Sequence, residues 1–347
     1  MSYSVVPLDI GQHRDSLFTL WATNTYDPKA NPGAMDRFSW LYEGPDDKSR
    51  TWIGVETTRN CVVGACSVFR SDRRVRGRSL KAGVINLFMI DSKHRTGAAA
   101  LAIQRALTGG CHEAGFDLVV IKLSEHRVPV FIRAGYRRVG VVRKWIKWLN
   151  AENITDGESR LPSCRHEVVS TADSRFTRLW ESAMDLGCIV AEKTAEYLNW
   201  RYSGFRDNYR YHCLVRKDDE QLLGYVVYHR MNEGTIVADI LCEHTAGPIV
   251  DELLRGFADA LRREGCAWIS LAYLGHPSFE NRLRSAGFEV RKSKKDRPLL
   301  AYASASLPSE ILSGLFDSSE WFFIGDQTTL LLATSVWKGS ELAASRG

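Results

Sequence analysis

The hydrophobic pattern changes period once, sharply, in the middle of the first half of the chain. Val84–Ile90 is an apolar, β-branched run interrupted only by Asn86, which predicts a buried strand. Asp91–Thr96 is polar, and from Gly97 to Leu107 apolar residues recur at helical spacing, with the helix predicted to end near Gly115. A second apolar run, Leu118–Leu123, predicts another strand. Ser124-Glu125-His126 and a short helical piece, Val128–Arg133, follow it and close on Ala134-Gly135-Tyr136. Upstream, Val5–Leu8 predicts a short strand, and Asp15–Thr23 a helix with Leu17, Leu20 and Trp21 on one face. Thr51–Glu56 and Cys61–Arg70 alternate as a hairpin. Asn24–Ala34 and the basic stretch Arg70–Lys81 are predicted as loops.

The same succession recurs in the second half. Trp200-Arg201-Tyr202-Ser203-Gly204 repeats Trp40-Leu41-Tyr42-Glu43-Gly44, and Leu223-Gly224-Tyr225 repeats Val63-Gly64-Ala65, both at an offset of 160 (200 − 40 and 224 − 64). Ser174–Trp180 echoes Ser16–Trp21, and Ala286-Gly287-Phe288 answers Ala134-Gly135-Tyr136. The order is kept while the offset drifts, as loop-length changes would produce. The expected organisation is two copies of one α/β fold. Residues 1–150 form the first, 151–164 a polar linker with Gly and Pro, 165–336 the second and 337–347 a disordered tail.

Composition narrows the class. The 347 residues are 44% hydrophobic and 25% charged, ordinary for a globular chain. A net charge of +5 does not by itself call for nucleic acid and suits an anionic cofactor or substrate. The N-terminus lacks the apolar core of a signal peptide, and no apolar run reaches membrane-spanning length. Eight scattered cysteines form no CxxC pair and no zinc spacing, which predicts a reducing, cytoplasmic setting without a structural metal.

The strand–turn–helix at Val84–Leu107 has the chemistry of a diphosphate cradle. A helix start presents unpaired N–H groups and the positive end of its dipole. Gly97-Ala98-Ala99-Ala100 lets a phosphate approach closely, and Arg95 adds charge beside it. The stretch Ile90–Ala100 resembles the x-P-x-Y-R-G-x-G-x-G/A motif of the GNAT superfamily of N-acyltransferases. Arg95 and Ala100 match, while Ser92 stands for Pro, His94 for Tyr, Thr96 for the first Gly and Ala98 for the central Gly. The second strand and the helix closing on Ala134-Gly135-Tyr136 resemble that family's next motif.

The resemblance implies tandem GNAT-like domains, each a mixed, mostly antiparallel sheet flanked by helices. It also implies an acyl-CoA donor (acetyl-CoA or longer) and a small primary amine as acceptor, with no nucleic acid and no membrane span. The donor would lie along Phe88, Met89 and Ile90 and on Arg95, Thr96, Gly97, Ala98, Ala99 and Ala100. The family's usual acid, a Tyr before the x-G-F turn, is missing, which leaves His126, Glu125 and Asn86 as catalytic candidates. The second cradle has Glu243 and Pro248 where the first has Arg95 and small residues, and is expected to be degenerate. The ending Trp321–Asp326 resembles tandem proteins encoded with surface-polysaccharide genes. That likeness points to an amino sugar, nucleotide-linked, as acceptor, with Asp326, Trp40 and Trp200 as substrate-binding candidates. Two other readings stay open: a Fem-like aminoacyl transferase, and a non-catalytic acyl-CoA- or ligand-binding protein.

Overall fold

The computed structural model describes residues 2–25, 34–43, 49–149, 160–183, 189–203, 209–244, 247–291 and 297–325. The first half runs β1 (Tyr3–Pro7), α1 (Ile10–Thr25), α2 (Ala34–Tyr42), β2 (Ser49–Glu56), β3 (Cys61–Arg70), β4 (Arg73–Val75) and β5 (Arg78–Leu80). It continues with β6 (Ala82–Ile90), α3 (Gly97–Gly110), β7 (Leu118–Lys122), α4 (Val128–Arg133) and β8 (Arg137–Trp148). The second half runs β9 (Cys164–Val169), α5 (Ser174–Ser182), β10 (Val190–Ala191), α6 (Ala195–Leu198), β11 (Arg210–Arg216), β12 (Leu222–Met231) and β13 (Gly234–Cys242). It ends with α7 (Pro248–Arg263), β14 (Trp268–Gly275), α8 (Pro277–Ser285), β15 (Glu289–Val290), β16 (Arg297–Ala303), α9 (Ser309–Leu315) and β17 (Phe322–Ile324).

Both halves build one pattern. β1, β2, β3 and β6 are antiparallel neighbours in that order, and β7 joins β6 in parallel. β9, β11, β12 and β13 repeat this, with β14 parallel to β13. The parallel pairs need crossovers, which α3 and α7 supply. Even the ladder irregularities recur. Ser67 pairs with Leu87 and Val68 with Ile85, so Asn86 is the extra residue of a bulge. Val227 pairs with Asp239 and Tyr228 with Val237, so Ala238 is its counterpart. The tandem, mostly antiparallel α/β architecture expected from the repeat is therefore present.

The pattern of offsets did not reveal how the halves join. β16 lies between β7 and β8, antiparallel to both. Beyond Val142, β8 leaves β16 and pairs with β14 from Tyr273↔Arg143 to Trp268↔Trp148. Each half thus supplies a strand to the other, and 14 strands form one sheet. The side chains follow. Leu300 of β16, fully buried, packs with Ile85, Ile103 and Phe131 in the first half's core. Trp145 of β8, also fully buried, packs among Phe279, Leu283 and Phe288 in the second.

The stretch Arg70–Lys81, expected as a solvated basic loop, is instead a clasp. It contains the hairpin β4–β5, and β10 adds to it as a third strand (Val190↔Arg74, Ala191↔Arg73). Arg73 is only 1% exposed and lies 5.8 Å from the Trp321 ring centroid and 6.0 Å from that of Phe323. Arg74 stacks over Trp180 at 3.9 Å and donates to its carbonyl at 2.8 Å. Arg76 donates to the Glu310 carbonyl at 3.1 Å, Arg78 pairs with Glu310 at 3.5 Å, and Arg70 binds Asp72 at 2.9 Å. The partners of four of these five arginines lie more than a hundred residues away, so no local pattern could show that they are occupied.

α3 is set against the first sheet by a close approach: a Cβ on Gly64 would lie 2.6 Å from Ile103 Cδ1. Burying Ile103 and Leu107 of that helix contributes about 1.5–3 kcal/mol each. The seven described cysteines are free thiols, six of them buried. Among the described residues no helix is long and apolar enough to cross a membrane.

Candidate functional site

The first half's sheet opens into a fork. β6 and β7 pair only from Ala82↔Leu118 to Val84↔Val120 and then part. β6 stays attached to β3 and β7 to β16, and among the described residues no strand enters the gap between them. Ile85, Ile121, Leu123 and Phe131 form apolar packing beside the divergence, and Phe88 meets Phe131 edge-on at 5.7 Å. Asn86 sits two residues past the last pair, on the bulge, and its amide nitrogen is buried without a hydrogen-bond partner. Met89 faces the other way, into the core under α1 and α2, and Ile90 is 9% exposed at the strand's end.

The cradle follows directly. Asp91 accepts from the Lys93 N–H at 2.9 Å and so caps the turn Ser92–His94. His94 is buried, with Nδ1 3.3 Å from the Tyr3 hydroxyl; it ties the turn to β1 rather than facing outward. Thr96 caps α3 by accepting from the Ala99 N–H at 3.5 Å. Arg95, Thr96, Gly97 and Ala98 are exposed, Ala99 is buried and Ala100 half-buried. Nothing lies within 4 Å of where a Cβ on Gly97 would sit, so the helix start is open to an approaching anion. Arg95 is anchored there, donating Nε to the Ile90 carbonyl at 3.3 Å and Nη2 to Asn24 Oδ1 at 3.0 Å.

The remaining candidates are dispersed. Glu125 is exposed and ion-paired with Arg138, and His126 is exposed beside it, both on the turn beyond the end of β7. Asn86 is near the vertex of the fork instead. Trp40 and Trp200 stack on each other at 5.4 Å and 28°, one from each half, with Tyr197 5.8 Å from Trp200. Asp326 and the tail lie outside the described residues.

The second half has the same fork, already filled. β13 and β14 pair from Gly234↔Trp268 to Ile236↔Ser270 and part. β17 then pairs with β14 from Tyr273↔Ile324 to Gly275↔Phe322, on the edge that β13 has left, and Gly325 donates its N–H to Ala272 at 2.7 Å. Gly325 has φ +68°, and a Cβ there would lie 1.8 Å from the Ala238 carbonyl oxygen, so only glycine closes this plug. α7 begins at Pro248, and Glu243 stands half-buried at the end of the preceding strand.

Next to the Ala238 bulge lies a buried pair that the sequence reading missed, Lys193 with Asp239. Lys193 is 0% and Asp239 1% exposed, and Tyr202 donates to Asp239 at 3.5 Å. Burial holds Lys193 below its ordinary pKa, and Asp239 acts against that shift. The available signal was Asp239 itself, a lone acid in an otherwise apolar strand. Two hollows lie elsewhere. One of about 190 Å³ opens between Asp72, Arg74, Trp180 and Glu192, and one of about 320 Å³ beside His166, His212 and Arg263; neither touches the first fork.

No family model matches the sequence, and no curated protein matches it. Solved structures do share the fold. A conserved Enterococcus faecalis V583 protein named a probable N-acyltransferase superposes with TM-score 0.65 at 10% identity, over 87% of this chain and 73% of that one. A GCN5-related N-acetyltransferase from Anabaena variabilis gives 0.63 at 12% identity, over 87% and 73%. A tandem GNAT protein of the clavulanic acid biosynthesis pathway gives 0.52 at 13% identity, over 88% of this chain and all of the other. The fold is that of the GCN5-related N-acetyltransferases in tandem. At these identities the likeness speaks for the fold alone.

Proposed function

We propose that the protein is an N-acyltransferase that takes an acyl group from acyl-CoA, bound by the first half, and passes it to a primary amine. One contrast carries this reading: the first fork is open and leads to an unobstructed helix start with Arg95 beside it, whereas the second is filled by β17. An extended pantetheine arm fits between diverging strands, and its diphosphate fits the N–H groups at Gly97 and Ala98. The second half serves as a wall and supplies Trp200 to the joint with Trp40. The expected stoichiometry is one acyl-CoA per chain. Calorimetry on Arg95→Ala should show about tenfold weaker binding, matching loss of one charge-assisted contact worth about 1.5 kcal/mol. Two sites per chain, or unchanged affinity, would remove this assignment.

For the acceptor we propose an amino sugar, nucleotide-linked, of surface polysaccharide. Its support is the resemblance of the Trp321–Asp326 ending together with the basic balance of the chain. Arg70, Arg73, Arg74, Arg76 and Arg78 add nothing to that support, since their side chains are engaged within the protein. The test is a panel of amino sugar nucleotides, free amino acids and polyamines against several acyl-CoAs, read as released thiol. Turnover confined to amino acids or polyamines excludes the sugar and leaves the acyl transfer standing. Thiol release from none of them, with acyl-CoA bound, identifies a binding protein.

A further inference from the structure

Asn86 is a polar residue in an apolar strand, held on a bulge at the vertex of the open fork, with an amide nitrogen that is buried and unbonded. Buried donors are almost always satisfied, so one left unmade at a ligand slot calls for a partner that arrives with the ligand. The second half provides an internal comparison. Its bulge is in the same place, its fork is filled by protein, and the bulge residue is Ala238, which strands no donor. The polar side chain therefore occurs in the half whose fork is open and is absent from the half whose fork is plugged by β17.

We infer that the Asn86 side-chain amide donates a hydrogen bond to the thioester carbonyl oxygen of the acyl donor and stabilises the oxyanion formed from it. This rests on the acyl-CoA reading above. In the reaction the acceptor nitrogen attacks the carbonyl carbon and forms the C–N bond while the carbonyl electron pair moves to oxygen. The pair then returns, the C–S bond breaks, and the CoA thiolate leaves and takes up a proton as the new amide loses one. Asn86 transfers no proton. It supplies a dipole at the atom where charge develops.

The test compares wild type with Asn86→Ala and Asn86→Asp, each checked for an unaltered thermal transition. Removing one such donor is expected to lower kcat by about a hundredfold while free CoA binds within about threefold of wild type. Wild type should bind acetyl-CoA more tightly than free CoA, and Asn86→Ala should lose that preference. Asn86→Asp should be weakest at neutral pH, where its carboxylate repels the oxyanion, and should regain activity as acidification restores an O–H donor. A merely structural role predicts neither the lost preference nor the inverted pH profile. If both variants keep the preference and kcat within twofold, Asn86 has no such role, although the acyl-CoA reading survives. If wild type binds neither acetyl-CoA nor CoA, both fall together.

Discussion

Acidification from pH 6.5 to 4.5 is expected to remove about 2 kcal/mol of stability through a single side chain, His212. The cause is a buried chain of three groups on the second half. Arg255 donates to both oxygens of Glu252, at 3.0 and 2.6 Å, and fixes the carboxylate. His166 Nε2 lies 2.9 Å from Glu252 Oε1, and so donates to it. That leaves His166 Nδ1 to accept from His212 Nε2 at 3.0 Å, and His212 Nδ1 as a bare, buried acceptor without a partner. A proton there would be desolvated and would face His166 and the Arg263 guanidinium, and burial first, then these neighbours, pushes the His212 pKa down to about 3. The folded pKa lies below the unfolded value of 6.5, so the folded chain resists a proton that the unfolded chain accepts. Stability from this residue is fully present above pH 6.5 and declines by about 1.4 kcal/mol per pH unit below it. Urea unfolding of wild type and His212→Phe at pH 6.5, 5.5 and 4.5 measures this, because other titrating groups are common to both. Their difference in unfolding free energy should move steadily in favour of the variant as pH falls. A constant difference across the three pH values would refute the account.

What could be read from the chain was what is written locally. The switch of period at Asp91 placed β6, the cradle and α3, because strand and helix periodicities are properties of neighbouring residues. The repeat at an offset of 160 predicted the tandem sheet, because equal core positions require equal hydrophobic residues. Asn86 stood out as one polar residue in an apolar run, and the fold gives it a reason, the bulge. The His166–His212–Glu252 chain went unseen because its members are 46 and 86 residues apart and each looks ordinary in its own strand or helix. His94 was read as a substitute in a ligand motif, whereas its ring packs on Tyr3, 91 residues away. The exchange of β8 and β16 was equally hidden. A strand's side-chain pattern records that both faces are covered, not which strand lies beside it.

That exchange sets the largest expected effect. Dividing the chain in the segment 151–159 should yield a first half that neither folds cooperatively nor binds acyl-CoA, and mixing it with the second half should restore both. The reason is in the pairing. Without β16, β7 retains only three paired residues on β6, and β8 loses all three strands that pair with it, β14, β15 and β16. The first core also loses Leu300, and the second loses Trp145. A point substitution carries the same logic into the intact protein. Leu300→Ala deletes a fully buried side chain and should cost about 2–5 kcal/mol. Since Leu300 belongs to the second half by sequence and to the first half by packing, both halves should unfold in one calorimetric transition, shifted as a whole. A double transition with only its first-half component displaced would mean that the shared strands do not couple the halves. A fragment 1–150 that folded and bound acyl-CoA at wild-type affinity would show that the fork needs no strand from elsewhere.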